Sequence, residues 1–535
     1  MHVNPYIANR MWIASMRRRF GDFCGALDRT GITQRDYLMR LLKRNKHTEY
    51  GRRYGFSRIG CVEEYRKQVP LTGYEDYGEY IRKIADGRSN VLCSDKITLF
   101  EPTSGSISAS KLIPYNAQLK REFNNAVAPW MYSLYTNNPA LFRGRSYWSV
   151  SPSVLSERSS GRIKVGFDSD SEYLGFWARH LYNMTSAVPS GIAAKSGLDD
   201  FRNNTLARLL LCRDLSFISV WNPTFMILLL EHFLSNYEEV IDIAENLHNG
   251  RRSPRIRELK SLISGDVSKA VFQRIWPMLS VISCWTDGLC GRLAGQLRKY
   301  FPSVKMQGKG LIATEAFVSL PFVSNRDPVL AVNSHFFEFI DERTSRIFTA
   351  DRLQVGQTYS VAVTTGGGLY RYRLNDIVEV TGFVKSAPTF RFISKSNSVS
   401  DLSGEKLNES HVMNCFESAF RKHSLKPEYY LFAPISRTKG TLRYCVYFQG
   451  RNITEEKANE FLFDFDTMLR ENYHYDYCRK LGQISCPSIF VIENKAKETY
   501  HFEMLRRGMK FGDIKPVCLD REFGWDKLFS GRLID

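Results

Sequence analysis

The sequence predicts an α/β protein. A large N-terminal domain of layered α/β build carries a small antiparallel β subdomain, and a small mobile α+β domain follows. Three observations predict this. From about residue 115 to 320, helical periodicities alternate with short apolar runs, the pattern of strands joined by helices. Over residues 328–394, strand-like runs follow one another without helices between them. The polar run from Ser394 to Asp401 then reads as a hinge before helices and strands resume.

In chain order, residues 1–90 read as helices, with Ile32 to Leu42 and Tyr74 to Ile84 spacing their apolar residues at three and four. Lys96 to Phe100 looks like a strand entering the small-residue loop Thr103 to Lys111. Ser146 to Val150 is one of the short apolar runs of the layered domain. Glu238 to Ser264 reads as a surface helix pair broken near Gly250 and Pro254. Val329 to Val332, Thr358 to Val363 and Ile377 to Thr381 are strand-like, with Gly366-Gly367-Gly368 as a turn. The expected organisation is therefore an N-terminal domain over 1–394, with the β subdomain at 328–394. A hinge at 395–402 and a C-terminal domain at 403–535 complete it.

With 535 residues, of which 43% are hydrophobic and 24% charged, the chain can hold about two to four domains with sizeable cores. The basic excess is less ordinary. Lys and Arg outnumber Asp and Glu by 74 to 56; from Ser396 onward the counts are 21 and 20, which leaves 53 against 36 on the larger N-terminal part. Such an excess nominates nucleic acid, a membrane surface or an anionic small molecule as partner. Eleven cysteines scattered from Cys24 to Cys518, with no C-x-x-C pair, argue against a disulfide framework and clustered zinc, and for a reducing cytosol. The basic run Arg17-Arg18-Arg19 follows the first apolar residues instead of preceding them, so no signal peptide is expected. The most apolar stretch, Phe217 to Leu234, is broken by Asn222, Pro223, Glu231 and His232, and reads as a buried core segment, not a membrane span.

Four segments carry chemistry. Thr103-Ser104-Gly105-Ser106 through Lys111 offers hydroxyls, backbone N–H groups and a cation, the means of wrapping phosphate oxygens; taken alone it reads as a polar turn, and no Walker-type loop is present. Gly308 to Ala316 combines glycines, which let a base or phosphate approach the backbone, with Thr314 and Glu315 as oxygen ligands for Mg²⁺; alone, Glu315 reads as a solvated or capping carboxylate. In Gly368 to Asp376, strand geometry would put Arg371, Arg373 and Asn375 on one face and Tyr370, Tyr372 and Leu374 on the other. Asp376 at the strand end can accept both hydroxyls of a ribose, or close a charge ladder. Gly512 to Pro516 contains Lys515, alone a surface lysine.

Together, these segments stand in the order found in adenylate-forming enzymes. The chain resembles the Gretchen Hagen family of acyl-acid amido synthetases in its bacterial form. The resemblance lies in Glu101 to Tyr115, Trp221-Asn222-Pro223-Thr224, Gly308 to Ala316, Gly368 to Phe383, Phe390 to Ile393 with Gly404-Glu405-Lys406, and Gly512 to Pro516. It implies an adenylate-forming N-terminal domain and a two-step reaction using ATP and Mg²⁺. A carboxylic acid becomes an acyl-adenylate, and an amine, usually of an amino acid, then displaces AMP. It further implies that Ser104, Gly105, Ser106 and Lys111 meet phosphates, that Thr314 and Glu315 meet phosphate and Mg²⁺, with Gly308 beside the nucleotide, and that Asp376 holds the ribose. Lys515 would approach the α-phosphate when the small domain closes, and Lys395 falls where relatives often carry a ribose-contacting Arg.

One departure is local: Ile107-Ser108-Ala109 follows Gly105 where a further glycine and hydroxyl are usual, and the β-branched Ile107 cannot donate to phosphate. Trp221, Phe225, Cys284, Trp285, Phe317 and Leu320 flank the motifs and suit either an acyl pocket or core packing. Two alternatives stay open. A thioester-forming ligase shares the first half-reaction, and a non-catalytic or nucleic-acid-binding descendant would explain the charge and the altered loop. Nucleic acid is the less favoured partner, and the sequence does not fix the oligomeric state.

Overall fold

A computed structural model describes residues 4–103, 111–149, 159–160, 162–166, 183–189, 198–247, 253–265, 268–322, 327–395, 399–438, 441–450, 453–509 and 511–534. The chain divides into two compact units. The larger comprises 1–374, 378–392 and 508–513; the smaller comprises 375–377, 393–507 and 514–535.

The larger unit opens with the helices Pro5–Ala14, Arg17–Leu27 and Thr30–Asn45. Asn4 starts the first by accepting the Tyr6 N–H at 3.0 Å, with Pro5 at the first helical position, where its missing N–H costs nothing. Its central element is a four-stranded parallel sheet in chain order, Arg145–Trp148, Leu215–Ser219, Val281–Cys284 and Lys305–Gly308. This is the layered α/β arrangement that the alternating pattern predicts.

The apolar stretch from Phe217 to Leu234 resolves into two buried elements. Its first residues end the fully buried strand Leu215–Ser219; its last belong to the helix Pro223–Leu247. The polar interruption separates them: Asn222 accepts the Thr224 N–H at 2.9 Å and Pro223 occupies the helix start. Among the described residues no helix is long and apolar enough to cross a membrane. The helix Pro254–Gly265 follows, and residues 248–252 lie outside the described residues.

A seven-stranded sheet orders Ile347–Thr349, Phe336–Ile340, Thr358–Thr364, Tyr372–Val384, Ala387–Lys395, Val329–Leu330 and Ser319–Leu320. Its strands Phe336–Ile340 and Thr358–Thr364 pair antiparallel, as do Val329–Leu330 and Ala387–Lys395. The glycine triplet makes the expected turn: Thr365 N–H donates to Leu369 O at 2.8 Å, and Gly368 takes φ +100°, a backbone open chiefly to glycine.

The segment beyond this turn differs from the alternation expected of it. Arg371 precedes the strand with φ +49° and Asn375 interrupts it with φ +62°, so the arginines do not share a face. Arg371 turns inward to Glu338, with Nε at 2.8 Å from one carboxylate oxygen and Nη2 at 3.1 Å from the other, whereas Arg373 is exposed.

The smaller unit is α+β. Its sheet runs Pro427–Thr438, Thr441–Gly450, Ser488–Ile492, Gly531–Ile534, with only the middle pairing parallel. Helices Glu409–Lys422 and Glu455–Leu469 stack Phe416, Phe420, Phe461 and Phe465 over it. All eleven thiols are free, in agreement with the absence of a disulfide framework.

Candidate functional site

In a sheet of parallel strands, the carboxyl ends face the loops that hold ligands. Here those ends lead into Trp148, Trp221, Trp285 and Lys309. After Lys305–Gly308 the chain forms a narrow hairpin: Val318 N–H donates to Leu311 O at 3.0 Å, Leu311 N–H to Ser319 Oγ at 2.9 Å, and Ala313 N–H to Ala316 O at 2.9 Å. Thr314 and Glu315 occupy its tip.

Two tyrosines hold this tip. The Tyr115 hydroxyl donates to Thr314 O at 2.5 Å, and the Tyr372 hydroxyl donates to Glu315 Oε1 at 3.4 Å. Burial, and then the Glu315 charge, push the Tyr372 hydroxyl well above its ordinary pKa, so it stays a proton donor to the carboxylate. Glu315 is half-buried. Gly308 lies at the strand end, where an added Cβ would meet Thr286 Oγ1 at 2.5 Å. No residue with a side chain fits there without displacing Thr286.

The apolar candidates separate. Trp221 and Trp285 are half-buried and face each other at 5.7 Å, while Phe317, 2% exposed, packs edge-on against Trp130 at 6.4 Å and Phe123 at 6.2 Å. Phe225 is buried in the helix Pro223–Leu247 and meets Phe511 edge-on at 5.2 Å. Cys284, also buried, has its thiol pushed up to about 12 by burial, against the pull of nearby Lys309, so it is no nucleophile at neutral pH.

The remaining candidates belong elsewhere. In the smaller unit, Asp376 is 3% exposed and one of its oxygens lies 3.5 Å from Lys395 Nζ. Lys515, in the same unit, is half-buried, and its carbonyl accepts the Tyr500 hydroxyl at 2.9 Å. Lys111 carries its ammonium 5.6 Å from the Tyr74 ring. Ser104, Gly105 and Ser106, with the Ile107-Ser108-Ala109 departure, lie outside the described residues. The structure thus brings together Thr314 with Glu315, Asp376 with Lys395, and Trp221 with Trp285.

Sequence reasoning did not assign Tyr372 or Lys309. Lys309 is 2% exposed; its ammonium donates to Ser219 Oγ at 2.6 Å and lies 4.8 Å from the Trp221 ring, 5.1 Å from Trp130 and 5.6 Å from Trp148. Its signal was present in the sequence, as a lysine between two glycines at a strand end.

A large unit built on a parallel sheet with the Thr314–Glu315 hairpin after its last strand, together with a small α+β unit, fits the frame of an adenylate-forming protein. Comparison with known proteins specifies which kind. The GH3 family N-terminal domain matches residues 20–306, its central domain 328–395 and its C-terminal domain 410–522. The chain belongs to the GH3 family. Similar relatives include the Arabidopsis thaliana indole-3-acetic acid-amido synthetase GH3.4, 25% identical over 72% of this chain and 71% of that protein. Another, from the same plant, is the 4-substituted benzoates-glutamate ligase GH3.12, 23% identical over 72% of each chain. Among solved structures, AtGH3.15 acyl acid amido synthetase in complex with 2,4-DB superposes with a TM-score of 0.83 at 18% identity, covering 95% of both chains, and shares the fold.

Proposed function

We propose that the chain is an ATP- and Mg²⁺-dependent acyl-acid amido synthetase. It is a ligase that joins an acid to an amine: a carboxylate oxygen attacks the α-phosphorus of ATP and pyrophosphate leaves, then the amine attacks the acyl carbon, loses a proton and expels AMP. What carries the reading is the Thr314–Glu315 hairpin tip, held by Tyr115 and Tyr372 at the end of the parallel sheet, in a GH3 family chain.

The donor chemistry fits the groups the reaction needs. Glu315 and Thr314 offer the hard oxygens Mg²⁺ prefers, and the buried carboxylate of Asp376 offers two acceptors to a ribose diol. When bound, Mg²⁺ would neutralise charge on the leaving pyrophosphate. Tyr372 orients the Glu315 carboxylate by donating to it, and Lys395 faces Asp376 as an ion-pair partner. Lys515 supplies positive charge at the α-phosphate in the first step, Ser104, Gly105, Ser106 and Lys111 bind the outer phosphates, and Gly308 leaves the nucleotide room. Trp221, Phe225, Trp285 and Phe317 contribute to the acyl pocket. Residues 395–402 serve as hinge between an N-terminal domain over 1–394 and a C-terminal domain over 403–535.

The acceptor is an amino acid and the compartment the cytoplasm. Bacterial origin is likewise a proposal, because the relatives above are plant proteins. The test is formation of an amide from a panel of acids and amino acids, followed by mass spectrometry with ATP and Mg²⁺ present and with the metal chelated. The reading requires amide only in the presence of both; amide formed equally well under chelation would refute the Mg²⁺ assignment, and no amide with any pair would refute the synthetase.

A further inference from the structure

One row of residues crosses the parallel sheet near its carboxyl edge. Trp148 pairs with Ser219, Ser219 with Ser283, and Ser283 with Gln307. Directly opposed residues of neighbouring strands point to the same face. On that face Lys309 reaches Ser219, and the Trp130 indole N–H donates to Gln307 Oε1 at 3.1 Å. The result is a polar strip of Ser219, Ser283, Gln307 and Lys309 walled by Trp130, Trp148 and Trp221. Phe317, against Trp130, joins the strip to the hairpin that bears Glu315.

Two features make this more than packing. A buried ammonium is costly unless its surroundings compensate it, and three indole faces and the Ser219 hydroxyl contribute to that at Lys309. Ser283 Oγ, on a residue with 0% exposure, makes no hydrogen bond among the described residues. A hydroxyl donor and a cation, side by side on the ligand-binding edge of the sheet and walled by aromatics, select an oxygen acceptor.

We propose that this strip is the specificity-determining floor of the acyl-acid site. The acid it takes carries, besides the carboxylate that reacts, a second oxygen acceptor on an aromatic or apolar body, best of all an ionised carboxylate. That group accepts from Lys309 and from Ser283. The inference rests on the synthetase reading above and narrows its substrate class.

The test uses the whole protein and shape-matched benzoic and phenylacetic acids bearing a carboxylate, a carboxamide or a methyl group at the 4-position. Acid-dependent ATP–pyrophosphate exchange should rank carboxylate above carboxamide above methyl, with at least a tenfold spread in kcat/KM. Lys309→Met, which keeps the stem, should abolish or invert the ranking; Lys309→Arg should retain it, and Ser283→Ala should narrow it about threefold. A wild-type protein that takes the methyl acids as well as the others, or a Lys309→Met variant that keeps the ranking, overturns the proposal. Because three of the chain's eight tryptophans wall the strip, tryptophan fluorescence measures binding without turnover. The same ranking by fluorescence with no exchange would refute the synthetase reading alone. No ranking by fluorescence would refute the floor alone, whether or not exchange occurs.

Discussion

Arg371 shows how a single buried charge is held. Its guanidinium spans both oxygens of Glu338 and also donates to the carbonyls of Arg66 at 3.0 Å and Val69 at 2.7 Å, while Arg66 supplies Glu338 with a second cation at 2.9 Å. Removing one partner of such a pair strands a desolvated charge. Arg371→Met should therefore lower unfolding free energy by roughly 3 kcal/mol in urea titrations, and Arg371→Lys should recover only part of it because the planar fork is lost. The period-two pattern placed Arg371 on a strand face because periodicity does not register a left-handed residue; the positive φ that turns it inward depends on packing against Glu338, which is distant in sequence. Glu315 stood out as a candidate only through the joint order of the motifs, and its partner Tyr372 did not stand out, since nothing local links the two. A second residue-scale effect concerns pH. Burial pushes the Tyr77 hydroxyl up to about 12, against the opposing pull of its hydrogen bond with Thr72 and of the Tyr370 N–H that donates to it. Between pH 10 and 12 the folded state then holds a proton that the unfolded state has released. Stability contributed by Tyr77 is complete below about pH 10 and falls as pH rises through this window, by roughly 2–3 kcal/mol in all. Denaturation midpoints against pH check this, and Tyr77→Phe should flatten the slope.

At the scale of elements, the Thr365–Leu369 turn sets where the strand Tyr372–Val384 begins, and so where Tyr372 meets Glu315. Gly368 has φ +100°, and a Cβ there would lie 2.6 Å from Leu92 Cβ. Gly368→Ala should cost about 1–3 kcal/mol, read as a lowered urea midpoint with unchanged slope. The turn was legible because glycine acts through its own backbone, whereas Pro223 was legible only as a break in the apolar stretch and not as a helix start. The strand expected at Lys96 to Phe100 instead spans Leu99–Pro102, because pairing with Leu112–Tyr115 begins at Leu99 opposite Tyr115. Cross-strand register of this kind is a long-range property, and the serine–glutamine row under Lys309 stayed hidden in the sequence for the same reason.

For the molecule as a whole, the order of motifs along the chain made the family legible, while distances between motifs needed the fold. The basic excess lies on the first 395 residues, the part that carries the Thr314–Glu315 hairpin and the cation Lys309. On the proposed function two anionic reactants meet on this part, so nucleic acid at physiological salt should neither bind with micromolar affinity nor inhibit; fluorescence anisotropy with labelled RNA and duplex DNA checks both. The role given to Lys515 separates the two half-reactions. Lys515→Ala should slow adenylation by about a hundredfold or more, while amide formation from a supplied acyl-adenylate should change much less. The most direct measurement is acid-dependent ATP–pyrophosphate exchange across a broad carboxylic-acid panel, with wild type, Lys515→Ala and Asp376→Ala side by side. Exchange by wild type with at least one acid, and its loss in both variants, is the predicted result; a wild type that exchanges with none, or variants that match it, would contradict the account.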